Sequence, residues 1–217
     1  MVDLEHGPGD IITLAGQAQA MKATSAVPLA RASWNDFVQA KRILDAGAYG
    51  ILFPYVNTAE EARAAVLACK YPPQGMRGVA GSPRAAGYGQ NSLEYLEHAN
   101  AEILVLAAVE TPTAIANLES ILAVDELDGI FIGPMDLATS MGYFAQPAHP
   151  DVQASIRRVE AHTLAAGKVL ASIAVSWEQA SQLYNRGYQM LLLMADGTAL
   201  SRLAGDLVRQ FRAAYPV

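Results

Sequence analysis

The stretch Ile103–Leu137, ILVLAAVETPTAIANLESILAVDELDGIFIGPMDL, decides the fold. It opens with the unbroken apolar run Ile103–Val109 and one carboxylate, Glu110. The helical pattern Thr113–Leu122 follows, then a second apolar run, Gly129–Ile132, trailed by Gly133-Pro134-Met135-Asp136. Apolar runs without polar alternation suit strands of a parallel sheet covered on both faces. Strand, helix and strand within about 35 residues make one βα repeat of such a sheet.

The same rhythm extends in both directions. Further strands are expected at Met1–Leu4, Ala26–Ala30, Gly50–Phe53, Val169–Ile173 and Met190–Met194. Helical periods fall between them, at Ile11–Lys22, Asp36–Ala46, Ala59–Cys69, Pro150–Ala166, Trp177–Asn185 and Ala199–Ala213, with a short helix at Ser92–Ala99. Asn35-Asp36 and Thr58 with Glu60-Glu61 are helix starts, and Gly47 and Gly167 are helix stops. This alternation predicts an α/β fold, either a (β/α) barrel or a doubly wound sheet, in one domain over residues 1–217. A closed barrel of this kind has eight strands, and seven are counted here. Met1 already stands inside an apolar run, so the natural protein is expected to continue upstream by a strand and a helix or more.

Composition narrows the function. The 217 residues are 52% apolar with a formal net charge of −6, and no Lys/Arg run offers a nucleic-acid surface. Cys69 is the only cysteine, which excludes an internal disulfide and a zinc–cysteine cluster. No apolar run approaches the ~18 residues of a membrane span, so the cytoplasm is the default expectation.

In a βα-repeat protein the strand C-termini share one face, where polar groups distant in sequence can meet. Glu110 follows one strand directly and Asp136 lies just past the next. Two carboxylates at adjacent strand ends can hold a hard cation such as Mg²⁺ or Mn²⁺, or each can simply cap the following helix. Asp3 and His6 close the first run. Their spacing can set a carboxylate against one imidazole nitrogen and leave the other free as a base, or His6 can be a turn residue before Gly7-Pro8. Arg31 ends the second strand, where its planar fork suits substrate carboxylate or enolate oxygens, an internal acid, or both. The loop Arg77–Arg84 is a candidate anion cover through its backbone amides and Arg84. None of the four lysines, Lys22, Lys41, Lys70 and Lys168, sits at a strand exit. That weighs against Schiff-base chemistry and favours a metal as electron sink. No P-loop or Gly-x-Gly-x-x-Gly fingerprint is present.

These motifs, Asp3–Pro8, Arg31–Asp36, Lys70–Val79 (KYPPQGMRGV), Val109–Thr111 and Phe131–Leu137 (FIGPMDL), occur in an order that resembles the HpcH/HpaI aldolase family. The resemblance spans essentially the whole chain. It implies a TIM-type (β/α)8 barrel, here lacking its first strand, with the last helix exchanged between neighbours, usually in a hexamer. It implies Glu110 and Asp136 as ligands of a divalent metal (Mg²⁺, Mn²⁺ or Co²⁺), and His6, held by Asp3, as the group that activates a water or hydroxyl. Arg31 would hold the pyruvate oxygens, and Gly133, Pro134 and Met135 the substrate carboxylate. Asp45 would reach a neighbouring subunit's site. The implied reaction is reversible cleavage of a 4-hydroxy-2-oxo acid to pyruvate and an aldehyde. The alternatives are a related enzyme condensing another oxo acid, such as a citrate synthase of siderophore assembly, and an inactive truncated subunit. The segment Ala80–Gly89 (AGSPRAAGYG) departs from the expected pattern and leaves the aldehyde open.

Overall fold

The computed structural model describes residues 1–215 and places seven parallel strands in one sheet in chain order. They are β1 (Val2–Asp3), β2 (Ala30–Arg31), β3 (Gly50–Phe53), β4 (Leu104–Val109), β5 (Gly129–Ile132), β6 (Val169–Ile173) and β7 (Met190–Leu192). The intervening helices are α1 (Ile11–Met21), α2 (Phe37–Asp45), α3 (Ala59–Cys69), α4 (Ser92–Glu102), α5 (Pro112–Ala116), α6 (Leu118–Leu122), α7 (Pro134–Ser140), α8 (Pro150–Ala165), α9 (Trp177–Asn185) and α10 (Asp196–Ala214). This is the curved parallel sheet of a TIM-type barrel, built from seven strands, with β1 and β7 at its two ends.

Two apolar layers follow from the two-residue period of a strand. Leu52, Leu106, Ala108, Phe131 and Ala171 pack together on the concave face. Their neighbours Ile51, Phe53, Val105, Ala107, Val109, Ile130 and Ile132 pack outward with the helices. The phase of each strand then determines what stands at its end. In β4 the inner residues Leu106 and Ala108 continue to Glu110. In β1 and β2 the outward residues are Val2, Leu4, Ala30 and Ala32, which leaves Asp3, Glu5 and Arg31 in the inner phase.

Local chemistry starts the helices as their sequences suggest. The Asp10 carboxylate accepts from the amides of Ile12 and Thr13, both at 2.9 Å. Asp36 accepts from Gln39, and Thr58 and Glu61 form a reciprocal capping box.

The boundaries differ from expectation at a few points. Strand β2 pairs only at Ala30–Arg31, because Pro28 has no N–H and Val27 is exposed. The single helix expected over Thr113–Leu122 breaks at Asn117 (φ −95°, ψ 8°), whose side chain donates to the Asn57 carbonyl. Gly133 and Pro134 open a further helix, α7, since proline suits the first helical position. Helix α10 buries none of its residues. No helix among the described residues is long and apolar enough to cross a membrane.

Candidate active site at the strand C-termini

Register builds the site. β1 and β2 pair Asp3 with Arg31, and β4 and β5 pair Val109 with Ile132, so Glu110 and Gly133 leave the sheet side by side. Asp136 lies in the first turn of α7, three residues past Gly133. The Ser140 hydroxyl ties α7 back to the Glu110 carbonyl at 2.6 Å. Asp3, His6, Arg31, Glu110, Gly133, Pro134, Met135 and Asp136 all border one cavity of about 1560 Å³. Part of that volume is the open side between β1 and β7, where Val2, Leu192 and Met194 also face it.

Glu110 is the most buried acid of this group, at 2% exposure. One of its oxygens, Oε2, accepts from the Tyr55 amide at 3.2 Å. The other, Oε1, faces Gly133 so closely that a Cβ there would lie 2.6 Å from it. Burial pushes the Glu110 carboxyl up to about 7; Asp136 and Glu5 add to the rise, while the Tyr55 amide and Arg31 oppose it. Tyr55 is held in the left-handed region (φ 51°), a backbone cost of the kind found at functional sites.

Each guanidinium nitrogen of Arg31 meets an acid of the chain. Its Nε and Nη2 donate to Asp3 Oδ1 and Oδ2 at 2.9 and 2.6 Å, a bidentate pair, and Nη1 lies 3.1 Å from Glu5 Oε2. Burial raises the Asp3 carboxyl, but the hydrogen bonds from Arg31 and from the amides of Glu5 and His6 outweigh it, so the net shift is downward. For Glu5, burial outweighs the attraction of Arg31 and the shift is upward. Asp3, Glu5 and Glu110 therefore lie around the Arg31 guanidinium and Asp136 lies near Glu5 and Glu110, a surplus of acidic groups that favours a cation.

Two sequence expectations need correction. Asp3 does not hold the His6 imidazole; it accepts from the His6 backbone amide at 3.3 Å, and both its oxygens bind Arg31. The carboxylate facing the imidazole is Glu5, whose Oε2 lies 3.7 Å from His6 Nε2. Glu5 was missed, although its two-residue spacing from Asp3 is the signal that places both on the inner face. Arg84 is no anion cover. Its Nη1 and Nη2 donate to the carbonyls of Ala46 and Ala18, at 3.0 and 2.8 Å, at the C-terminal ends of α2 and α1. It borders a separate cavity of about 750 Å³ with Pro28, Gly47 and Tyr49, at the strands' N-terminal end. Asp45, expected to reach a neighbouring subunit's site, accepts within the chain from buried Arg77 at 2.7 Å.

Two of the lysines are structural. Lys70 Nζ donates to the Asn100 and Ile103 carbonyls, and Lys168 Nζ to those of Val124 and Leu127. Burial raises the Cys69 thiol to about 12, which removes it as a nucleophile.

Residues 1–202 match the HpcH/HpaI aldolase/citrate lyase family. The 4-hydroxy-2-oxo-heptane-1,7-dioate aldolase of Salmonella dublin is 40% identical over 213 residues, which are 98% of this chain and 81% of that protein. An HpcH/HpaI aldolase/citrate lyase family protein from Burkholderia cenocepacia J2315 superposes with a TM-score of 0.92 at 34% identity, covering 97% of this chain and 84% of that one. The citrate synthase SbnG superposes with a TM-score of 0.85 at 26% identity, covering 98% and 83% of the two chains.

Proposed function

The chain belongs to the HpcH/HpaI aldolase/citrate lyase family, and on that premise we propose that it is a divalent-metal-dependent aldolase cleaving a 4-hydroxy-2-oxo acid to pyruvate and an aldehyde. One observation carries this reading. Two carboxylates from adjacent strand ends, Glu110 and Asp136, border one cavity beside a glycine that leaves Glu110 Oε1 clear.

The residues fit the metal. Among the described residues no three His, Cys, Asp or Glu side chains are grouped as a complete ligand set. A two-carboxylate site is what Mg²⁺ or Mn²⁺ commonly uses, with water and substrate oxygens completing the shell. When bound, the cation would supply Lewis-acid stabilisation of the pyruvate enolate.

The chain's own residues do the rest. Glu110 and Asp136 hold the cation. Gly133, Pro134 and Met135 border the place of the substrate carboxylate. Arg31, fixed by Asp3, keeps N–H groups for oxygens that gain charge as the C3–C4 bond breaks. His6 is the base that relays the proton from the C4 hydroxyl, directly or through water, and C3 is then reprotonated. The protein acts as a homo-oligomer, supported by the apolar side chains of α10, Leu200, Leu203, Leu207 and Phe211, all exposed in the single chain.

The test is pyruvate release from 4-hydroxy-2-oxo acids with Mg²⁺, Mn²⁺ or Co²⁺, repeated with chelator. Metal-stimulated release is expected, and equal rates in both conditions would remove the metal from the mechanism. The likeness to the citrate synthase SbnG supports a second reading, condensation of another oxo acid in the same cavity. Product analysis with oxaloacetate and an acyl thioester separates the two.

A further inference from the structure

We propose that Glu5 is a positioning residue of this site, its Oε2 fixing the Arg31 guanidinium and the His6 imidazole together. The inference deepens the aldolase reading and rests on it for the chemistry that Glu5 serves. It comes from an orphaned atom. Glu5 Oε2 is buried and has no aligned hydrogen-bond partner, and a side chain only 12% exposed cannot turn it freely to water. The two polar groups beside it are Arg31 Nη1 at 3.1 Å and His6 Nε2 at 3.7 Å.

The neighbouring acid cannot serve instead. Asp3 occupies both oxygens with Arg31 Nε and Nη2, and Oδ1 also accepts from the amides of Glu5 and His6. Asp3 therefore fixes one edge of the guanidinium, and Glu5 meets the remaining terminal nitrogen. A guanidinium has five N–H groups. Asp3 takes two and Glu5 faces Nη1 as an ion pair, which leaves N–H groups on both terminal nitrogens for a substrate oxygen. Without Glu5, Nη1 is unrestrained on that side. The His6 ring, 64% exposed, would lose the carboxylate 3.7 Å from its Nε2. Catalysis is sensitive to such placement, since about 1 Å of error costs on the order of a hundredfold.

The experiment compares wild type, Glu5→Gln and Glu5→Ala. The expected result is a kcat for pyruvate release with Mn²⁺ about 10–100-fold lower in both variants. KM, Mn²⁺ affinity and melting temperature should stay close to wild type. A second readout needs no turnover: the side-chain NMR signals of ¹⁵N-arginine, with Arg31 identified by its loss in Arg31→Lys. The two Nη1 protons should be resolved in wild type and averaged by rotation in Glu5→Gln. Full kcat together with unchanged Nη1 signals in Glu5→Gln overturns the proposal. Collapse of Mn²⁺ binding also overturns it, by making Glu5 part of the metal site. A wild type inactive with every metal defeats the aldolase reading separately, and the Nη1 signals still decide Glu5.

Discussion

Glu110→Gln in metal-free protein should make the chain more stable at pH 8 than wild type. Folding raises the Glu110 carboxyl from 4.5 to about 7, chiefly by burial. The folded state therefore binds a proton more tightly than the unfolded state. Stability from this group is full below about pH 4.5, falls as pH rises towards 7, and is flat above that. At about 1.4 kcal/mol per pKa unit, the whole shift corresponds to about 3 kcal/mol. Glutamine keeps an acceptor for the Tyr55 amide and cannot ionise. The stability of Glu110→Gln relative to wild type should grow by about 2–3 kcal/mol between pH 5 and pH 8. Urea unfolding with chelator, at fixed protein concentration, measures it. Mn²⁺ at a hundred times its dissociation constant should restore about 2.7 kcal/mol to wild type and little to the variant. A difference that does not change with pH, or one of opposite slope, would refute burial as the origin of the raised proton affinity.

Two further substitutions separate the site from its scaffold. Gly133→Ala is allowed by the backbone (φ −95°) but sets a methyl 2.6 Å from Glu110 Oε1. An overpacking cost of about 1–3 kcal/mol falling on the ligand should weaken Mn²⁺ binding by about 10–100-fold, measured by titration, and unchanged affinity would count against Glu110 as a ligand. Arg84→Ala removes two charged hydrogen bonds to helix-end carbonyls and should cost about 2–5 kcal/mol in urea unfolding with kcat preserved. Lost turnover at unchanged stability would return Arg84 to the site.

Much of the fold was legible because buried parallel strands have no polar alternation, and β3 and β5 fall where their apolar runs predict them. The cluster of Asp3, His6, Arg31, Glu110 and Asp136 at one end was legible for the same reason, since strand ends define a face. Spacing across a strand exit misled, because Asp3 and His6 are three apart and lie in opposite phases, whereas Asp3 and Glu5 share one. Pairing register, which sequence does not display, joins Asp3 to Arg31. Arg84 was misplaced because a charged residue in a glycine-rich loop looks alike whether it meets a ligand or a carbonyl. The positive φ of Tyr55 had no sequence signal, since tyrosine rarely adopts it.

Strand β1 is two residues long, and the amides of Val2 and Leu4 donate to the carbonyls of Leu29 and Arg31 beside it. Detaching that ribbon would withdraw two acids and the imidazole at a stroke while leaving Glu110 and Asp136 in place. Such a detachment would be a local opening, distinct from global unfolding. Amide exchange at Val2 and Leu4, faster than anywhere in β4, would report it.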